Sequence, residues 1–136
     1  MGFQPSGLRP LPLRAVLGAM GADVLLAEDD DALREVTADL LRDAGFEVEA
    51  VRDGVEALAA LRAARPGGLL LDLMMPNLDG WQVVAQMRAD PALATIPVCV
   101  LSAVEDGPAV QRTLRKPVTL ATLLAAVREL SGKPQG

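Results

Sequence analysis

Residues 69–81 read Leu69-Leu70-Leu71-Asp72-Leu73-Met74-Met75-Pro76-Asn77-Leu78-Asp79-Gly80-Trp81. Pro66-Gly67-Gly68 stands in front of them. The leucine triplet is therefore a short, wholly apolar strand set off by a breaker, of the kind buried on both faces of a parallel sheet. Asp72 follows it at once, and Pro76, Asn77, Asp79 and Gly80 mark a loop. A helix built on Val83, Val84 and Met87 comes next. A carboxylate at the carboxyl end of a buried parallel strand is placed where open α/β sheets bind ligands.

The same alternation extends outward in both directions. Val24 to Ala27 is a second apolar strand, followed by Leu33, Val36, Leu40 and Leu41 at helical spacing and a stop at Gly45. Phe46 to Val51 alternates apolar residues with Glu47 and Glu49, as a half-exposed strand does. Asp53 and Glu56 form a capping-box pair that opens a helix running to about Arg65. Beyond the decisive stretch, Val98 to Leu101 is apolar, and a polar strand is expected at about Thr113 to Arg115. Thr119 is placed to cap a last helix carrying Leu120, Leu123, Leu124 and Val127 on one face.

Five βα repeats imply an α/β fold with a parallel sheet covered on both faces. Strands one, three and four are apolar throughout and belong in the centre; strands two and five carry polar residues and belong at the edges. A flavodoxin-like, doubly wound five-stranded parallel sheet in the order 2-1-3-4-5 meets that requirement. Its switch point lies between strands one and three.

Composition narrows the function. The chain has 136 residues, enough for one domain, and a net charge of −5. An acidic balance argues against nucleic acid or an anionic membrane as the main partner. No apolar run approaches the roughly 20 residues that span a bilayer. The single cysteine, Cys99, cannot form an internal disulfide and suits a reducing cytoplasm; it is expected buried and inert. There is no histidine, so any proton, metal or nucleophile chemistry falls to carboxylates, hydroxyls and lysines. Residues 1–21 (with two arginines ahead of the apolar Ala15–Ala22, and a Met1-Gly2 start) match secretion and myristoylation signals only weakly. They are expected to be an irregular extension, and residues 131–136 a flexible tail.

The predicted strand ends converge on one rim. Glu28, Asp29, Asp30 and Asp31 follow strand one, Asp72 follows strand three, Ser102 ends strand four and Lys116-Pro117 follows strand five. Glu28, Asp29 and Asp72 packed together would repel and raise one another's pKa, and a hard divalent cation such as Mg²⁺ would relieve this. Lys116 adds a positive charge and Ser102 a hydrogen-bond donor, which together meet the needs of phosphoryl transfer. Asp30 and Asp31 are expected only to cap and open a helix, and Asp79 to make a turn. Met74, Met75, Met87 and Trp81 are expected to pack.

On the strings AEDDDALRE, LLLDLMMPNLDGW, IPVCVLSA and RKPVTLATLLAAVREL, the chain resembles the receiver domain of two-component response regulators over about residues 22–130. The resemblance implies that Asp72 takes a phosphoryl group from a phosphohistidine on a sensor histidine kinase or histidine phosphotransfer protein. It implies that Glu28, Asp29, Asp72 and the Met74 carbonyl hold Mg²⁺. Ser102 and Lys116 would contact the phosphoryl group, and output would pass through an unknown downstream protein. On this reading the protein is no enzyme in the ordinary sense, but a receiver that catalyses its own phosphorylation and a slow autodephosphorylation. An alternative is an atypical receiver working as a phosphorylation-independent binding module. A haloacid-dehalogenase-type phosphatase lacks its second acid, since Met74 stands there, and a flavin binder lacks the aromatic residues and the hydroxyl-rich loop.

Three finer expectations follow from the resemblance. Met74 and Val104 flank the path of an attacking water and are apolar, so the phosphorylated form should be long-lived. The Lys116-Pro117 bond should be cis. Only 13 residues separate Ser102 from Lys116, and they include Gly107-Pro108, so the helix usual there should be one or two turns or lost. Thr113 replaces the aromatic switch residue, and partners should read a surface other than the usual output face, such as the first helix. No further domain follows Leu130 in this sequence, which makes the chain a stand-alone regulator or a piece of something larger.

Overall fold

The computed structural model describes residues 21–103 and 107–132. The expected amino-terminal extension (except Gly21), Val104 and most of the expected tail lie outside them. Chain order is β1 (Val24–Ala27), α1 (Asp31–Asp43), β2 (Val48–Val51), α2 (Gly54–Ala63), β3 (Gly68–Asp72), α3 (Gly80–Ala89), β4 (Val98–Ser102), β5 (Arg112–Arg115) and α4 (Leu120–Ser131). The strands form one parallel sheet in the order β2-β1-β3-β4-β5. This is the flavodoxin-like arrangement predicted from strand polarity. Every residue of β1, β3 and β4 is buried, whereas β2 is largely half-exposed and β5 buries only Leu114.

Successive side chains alternate between the two faces, and each face builds its own core. Leu25, Leu69, Leu71 and Val100 pack under α2 and α3 through Leu58, Leu61, Val83 and Met87. Leu26, Leu70, Cys99 and Leu101 pack under α1 and α4 through Ala38, Leu41, Ala126 and Val127. Register aligns the carboxyl ends: Ala27 pairs with Leu71, Asp72 with Leu101, and Ser102 with Arg115. Each helix starts on a side-chain cap. Asp30, Asp53, Asp79 and Thr119 accept the backbone N–H of Leu33, Glu56, Gln82 and Thr122.

Several local expectations are corrected. The face of α1 turned to the sheet carries Ala38 and Leu41, whereas Leu33, Val36 and Leu40 are exposed. Arg34 is half-buried on the inward side of the helix, where its guanidinium reaches the Glu28 carbonyl. Glu56 does not close a capping box with Asp53: its carboxylate accepts the N–H of Arg52 instead. The full box is at Asp79 and Gln82. Between β4 and β5, residues 107–111 carry no helix. There the chain lays Val110 on the core, and the Gln111 side chain accepts the Val98 N–H at 2.8 Å. Among the described residues the helix expected to shrink is therefore lost.

Candidate functional site

The carboxyl rim beside β1 and β3 gathers the acids. One carboxylate oxygen from each of Glu28, Asp29 and Asp72 lies within 4.8 Å of the others. Glu28 and Asp72 are buried and Asp29 is exposed. Register explains the meeting. Glu28 is the residue after Ala27, which pairs with Leu71, so it shares a row with Asp72 on the neighbouring strand. The Glu28 N–H bonds the Val51 carbonyl at 3.0 Å, which extends the β1–β2 pairing by one residue and holds the acid on the rim.

Lys116 brings an ammonium onto these acids. Its Nζ lies 3.3 Å from Asp72 Oδ1 and 3.7 Å from Glu28 Oε1. The Lys116 N–H donates to the Ser102 carbonyl at 2.9 Å, continuing the β4–β5 ladder past its last pair. The Lys116-Pro117 bond is cis, as expected. Ser102 is almost wholly buried at the end of β4, beside the strand that carries Asp72. The Met74 N–H donates to Asp72 Oδ1 at 3.3 Å.

Burial pushes the Glu28 carboxyl up to about 7, and the nearby Asp72 carboxylate adds to the rise. The Asp30 N–H, which donates to Glu28 Oε2 at 3.1 Å, and the Lys116 ammonium oppose it. Two crowded, buried carboxyls beside an exposed third one are a donor set suited to a small, hard, oxygen-seeking cation.

Glu28, Asp29, Asp72 and Lys116, all read from the sequence, are thus brought together, with Ser102 and the Met74 backbone alongside. The packing expected of two side chains is corrected: Met74 is 68% exposed and Trp81 43%. Met75 and Met87 are buried as expected. Cys99 is fully buried in β4, and burial raises its thiol to about 11.

Arg34 was missed in the sequence. Its guanidinium donates to the Glu28 carbonyl at 2.9 Å and the Asp29 carbonyl at 3.5 Å, and pairs with Asp31. It therefore holds the backbone that carries two of the acids. The spacing of Asp31 and Arg34 on one helix was the available signal, but it pointed only to a surface ion pair.

An acid cluster and a lysine on the carboxyl rim of a 2-1-3-4-5 parallel sheet, beside the point where strand order reverses, define the receiver class of α/β proteins. The response regulator receiver domain family matches residues 24–128, and the chain belongs to that family. Among curated proteins, response regulator MprA of Mycobacterium bovis is 37% identical over 119 residues, covering 82% of this chain and 51% of MprA. The transcriptional regulatory protein CseB of Streptomyces avermitilis is 45% identical over 84 residues, covering 62% of this chain and 34% of CseB. The chain thus spans a third to a half of the length of these relatives. The receiver domain of a Syntrophus aciditrophicus signal transduction histidine kinase superposes with a TM-score of 0.74 at 29% identity, covering 83% of this chain and 92% of that one. The chemotaxis protein CheY4 of Vibrio cholerae gives 0.71 at 30% identity, covering 79% and 96%. A third structure, the receiver domain of sensor histidine kinase PA1611 from Pseudomonas aeruginosa with a magnesium ion coordinated in its active site cleft, gives 0.74 at 26% identity, covering 81% and 97%.

Proposed function

We propose that this receiver domain accepts a phosphoryl group on Asp72 from a phosphohistidine of a partner histidine kinase or histidine phosphotransfer protein, in a Mg²⁺-dependent reaction. The observation that carries the reading is the contact of Lys116 Nζ with Asp72 Oδ1 inside the Glu28, Asp29 and Asp72 cluster. An Asp72 oxygen attacks phosphorus in line, the P–N bond to the donor histidine breaks, and its electron pair returns to the imidazole. Lys116 balances the charge of the acyl phosphate, and the Ser102 hydroxyl donates to a phosphoryl oxygen.

Glu28, Asp29, Asp72 and the Met74 carbonyl would hold the Mg²⁺, which supplies charge neutralisation for the phosphoryl oxygens. The magnesium in the PA1611 receiver supports this choice of ion. Glu28 must give up its proton to take part, so its raised pKa ties cation binding to pH. The domain is its own catalyst for phosphorylation and slow hydrolysis rather than an enzyme acting on a released substrate.

Output passes through protein contacts in the cytoplasm. The unusual β4–β5 connection and the exposed Leu33, Val36 and Leu40 favour a surface that includes α1 over the usual output face. Among the described residues no helix is long and apolar enough to cross a membrane. The test is intact-mass measurement after incubation with a small acyl phosphate, with and without Mg²⁺. A phosphoryl adduct that needs Mg²⁺ and is absent from Asp72→Asn is expected; an adduct that persists in that variant would overturn the assignment.

A further inference from the structure

The loop between β3 and α3 carries the Met74 carbonyl; Leu73, Met75 and Leu78 seat the loop on the core, whereas the Met74 side chain itself is mostly exposed. Hydrogen bonds fix the rest of its course. Gly80 N–H to the Leu73 carbonyl, at 2.9 Å, closes its base. Its tip is tied to the turn that opens α2. The Gly54 N–H donates to the Leu78 carbonyl at 3.1 Å, and Asn77 Nδ2 donates to Asp53 Oδ2 at 3.0 Å. The approach is so close that a Cβ on Gly54 would fall 2.1 Å from the Leu78 oxygen.

Asn77 is the single described non-glycine residue with positive φ, at 67°, a conformation that Asn and Asp tolerate best. Asp53 uses both oxygens: Oδ1 accepts the Glu56 N–H that caps α2, and Oδ2 takes the Asn77 amide. These bonds hold its carboxyl below the usual range. The capping bond explains why an Asp stands at 53. It does not explain a left-handed Asn 24 residues away whose amide reaches the other oxygen.

We propose that Asn77 and Asp53 are positioning residues for the cation site: their hydrogen bond holds the loop bearing the Met74 carbonyl against the rim and so sets the affinity for Mg²⁺. This rests on the cation site proposed above. Neither residue is a ligand itself.

The test is calorimetric titration with MgCl₂ at fixed ionic strength, on the wild type, Asn77→Asp, Asn77→Gly and the exchange Asp53→Asn/Asn77→Asp. Asn77→Asp sets two carboxylates against each other and should weaken Mg²⁺ binding about five-fold, the scale of one exposed hydrogen bond. If charge alone mattered, the added carboxylate would strengthen binding, so the sign discriminates. Asn77→Gly keeps the left-handed backbone, removes the amide, and should weaken binding similarly even if the Asp variant folds poorly. In the exchange, the amide introduced at position 53 still offers an oxygen to the Glu56 N–H, and its NH₂ donates to the carboxylate introduced at position 77. Affinity should then return to near the wild-type value. Unchanged or tighter binding in both single variants, or no recovery in the exchange, overturns the proposal. A wild type that binds no Mg²⁺ overturns the cation site itself and this inference with it.

Discussion

Lys116 Nζ is shared between Asp72, at 3.3 Å, and Glu28, at 3.7 Å, so one half-buried ammonium serves two buried carboxylates. Lys116→Met removes that counter-charge and leaves the acids facing each other. Phosphorylation by a small acyl phosphate should slow at least about ten-fold, because the charge of the acyl phosphate is then unbalanced. Mg²⁺ binding should survive, since Lys116 is not a ligand. Rates followed by intact mass, alongside a Mg²⁺ titration, check both halves.

Glu28 makes the Mg²⁺-free fold sensitive to pH. Its carboxyl lies at about 7 in the folded chain against an ordinary 4.5. Between those values the folded state binds more protons than the unfolded state, so stability falls as pH rises. From about pH 5 to 7.5, urea unfolding in EDTA should lose up to about 3 kcal/mol. Glu28→Gln should flatten the profile over that window. An equally steep loss in the Gln variant would place the effect elsewhere.

Cation binding should follow the same group with the opposite sense. Because Glu28 must be ionised to act as a ligand, Mg²⁺ affinity should rise through about pH 6–7 and binding should release protons. Calorimetry in two buffers of different ionisation enthalpy measures that release directly.

Arg34 ties the Glu28 and Asp29 carbonyls to the first turn of α1. Arg34→Ala leaves those carbonyls to water and loosens the acidic turn. A stability loss of about 1–2 kcal/mol is expected, together with weaker Mg²⁺ binding. Arg34→Lys, a single point charge without the planar fork, should recover only part of either.

Met74 stands exposed beside Asp72 and cannot orient a water by hydrogen bonding. The phosphorylated form should therefore decay slowly. Met74→Asn combined with Val104→Glu should shorten its lifetime several-fold, read as loss of the phosphoryl adduct with time. A double variant that decays no faster than the wild type would rule out this account.

The sheet was legible because its signals are local. Three strands without a polar interior position can only be central, and two polar ones can only be edges, which leaves few orders. The rim was legible for the same reason: Glu28, Asp72, Ser102 and Lys116 each end or follow a strand, and parallel register brings strand ends together. Gly107-Pro108 and the short span to Lys116 also pointed to a helix that is shortened or lost, and residues 107–111 carry none. What tertiary structure alone decided is how the helices roll and which loops touch. Leu33, Val36 and Leu40 have helical spacing, but the sheet takes Ala38 and Leu41, and Arg34 on the same side reaches the Glu28 carbonyl. Likewise Asn77 and Asp53 are each ordinary turn residues by sequence, and their pairing exists only because β2 and β3 flank β1 and leave the following loops side by side. Periodicity is a property of one segment, whereas burial, a raised pKa and a bond across 24 residues depend on where separate segments are packed.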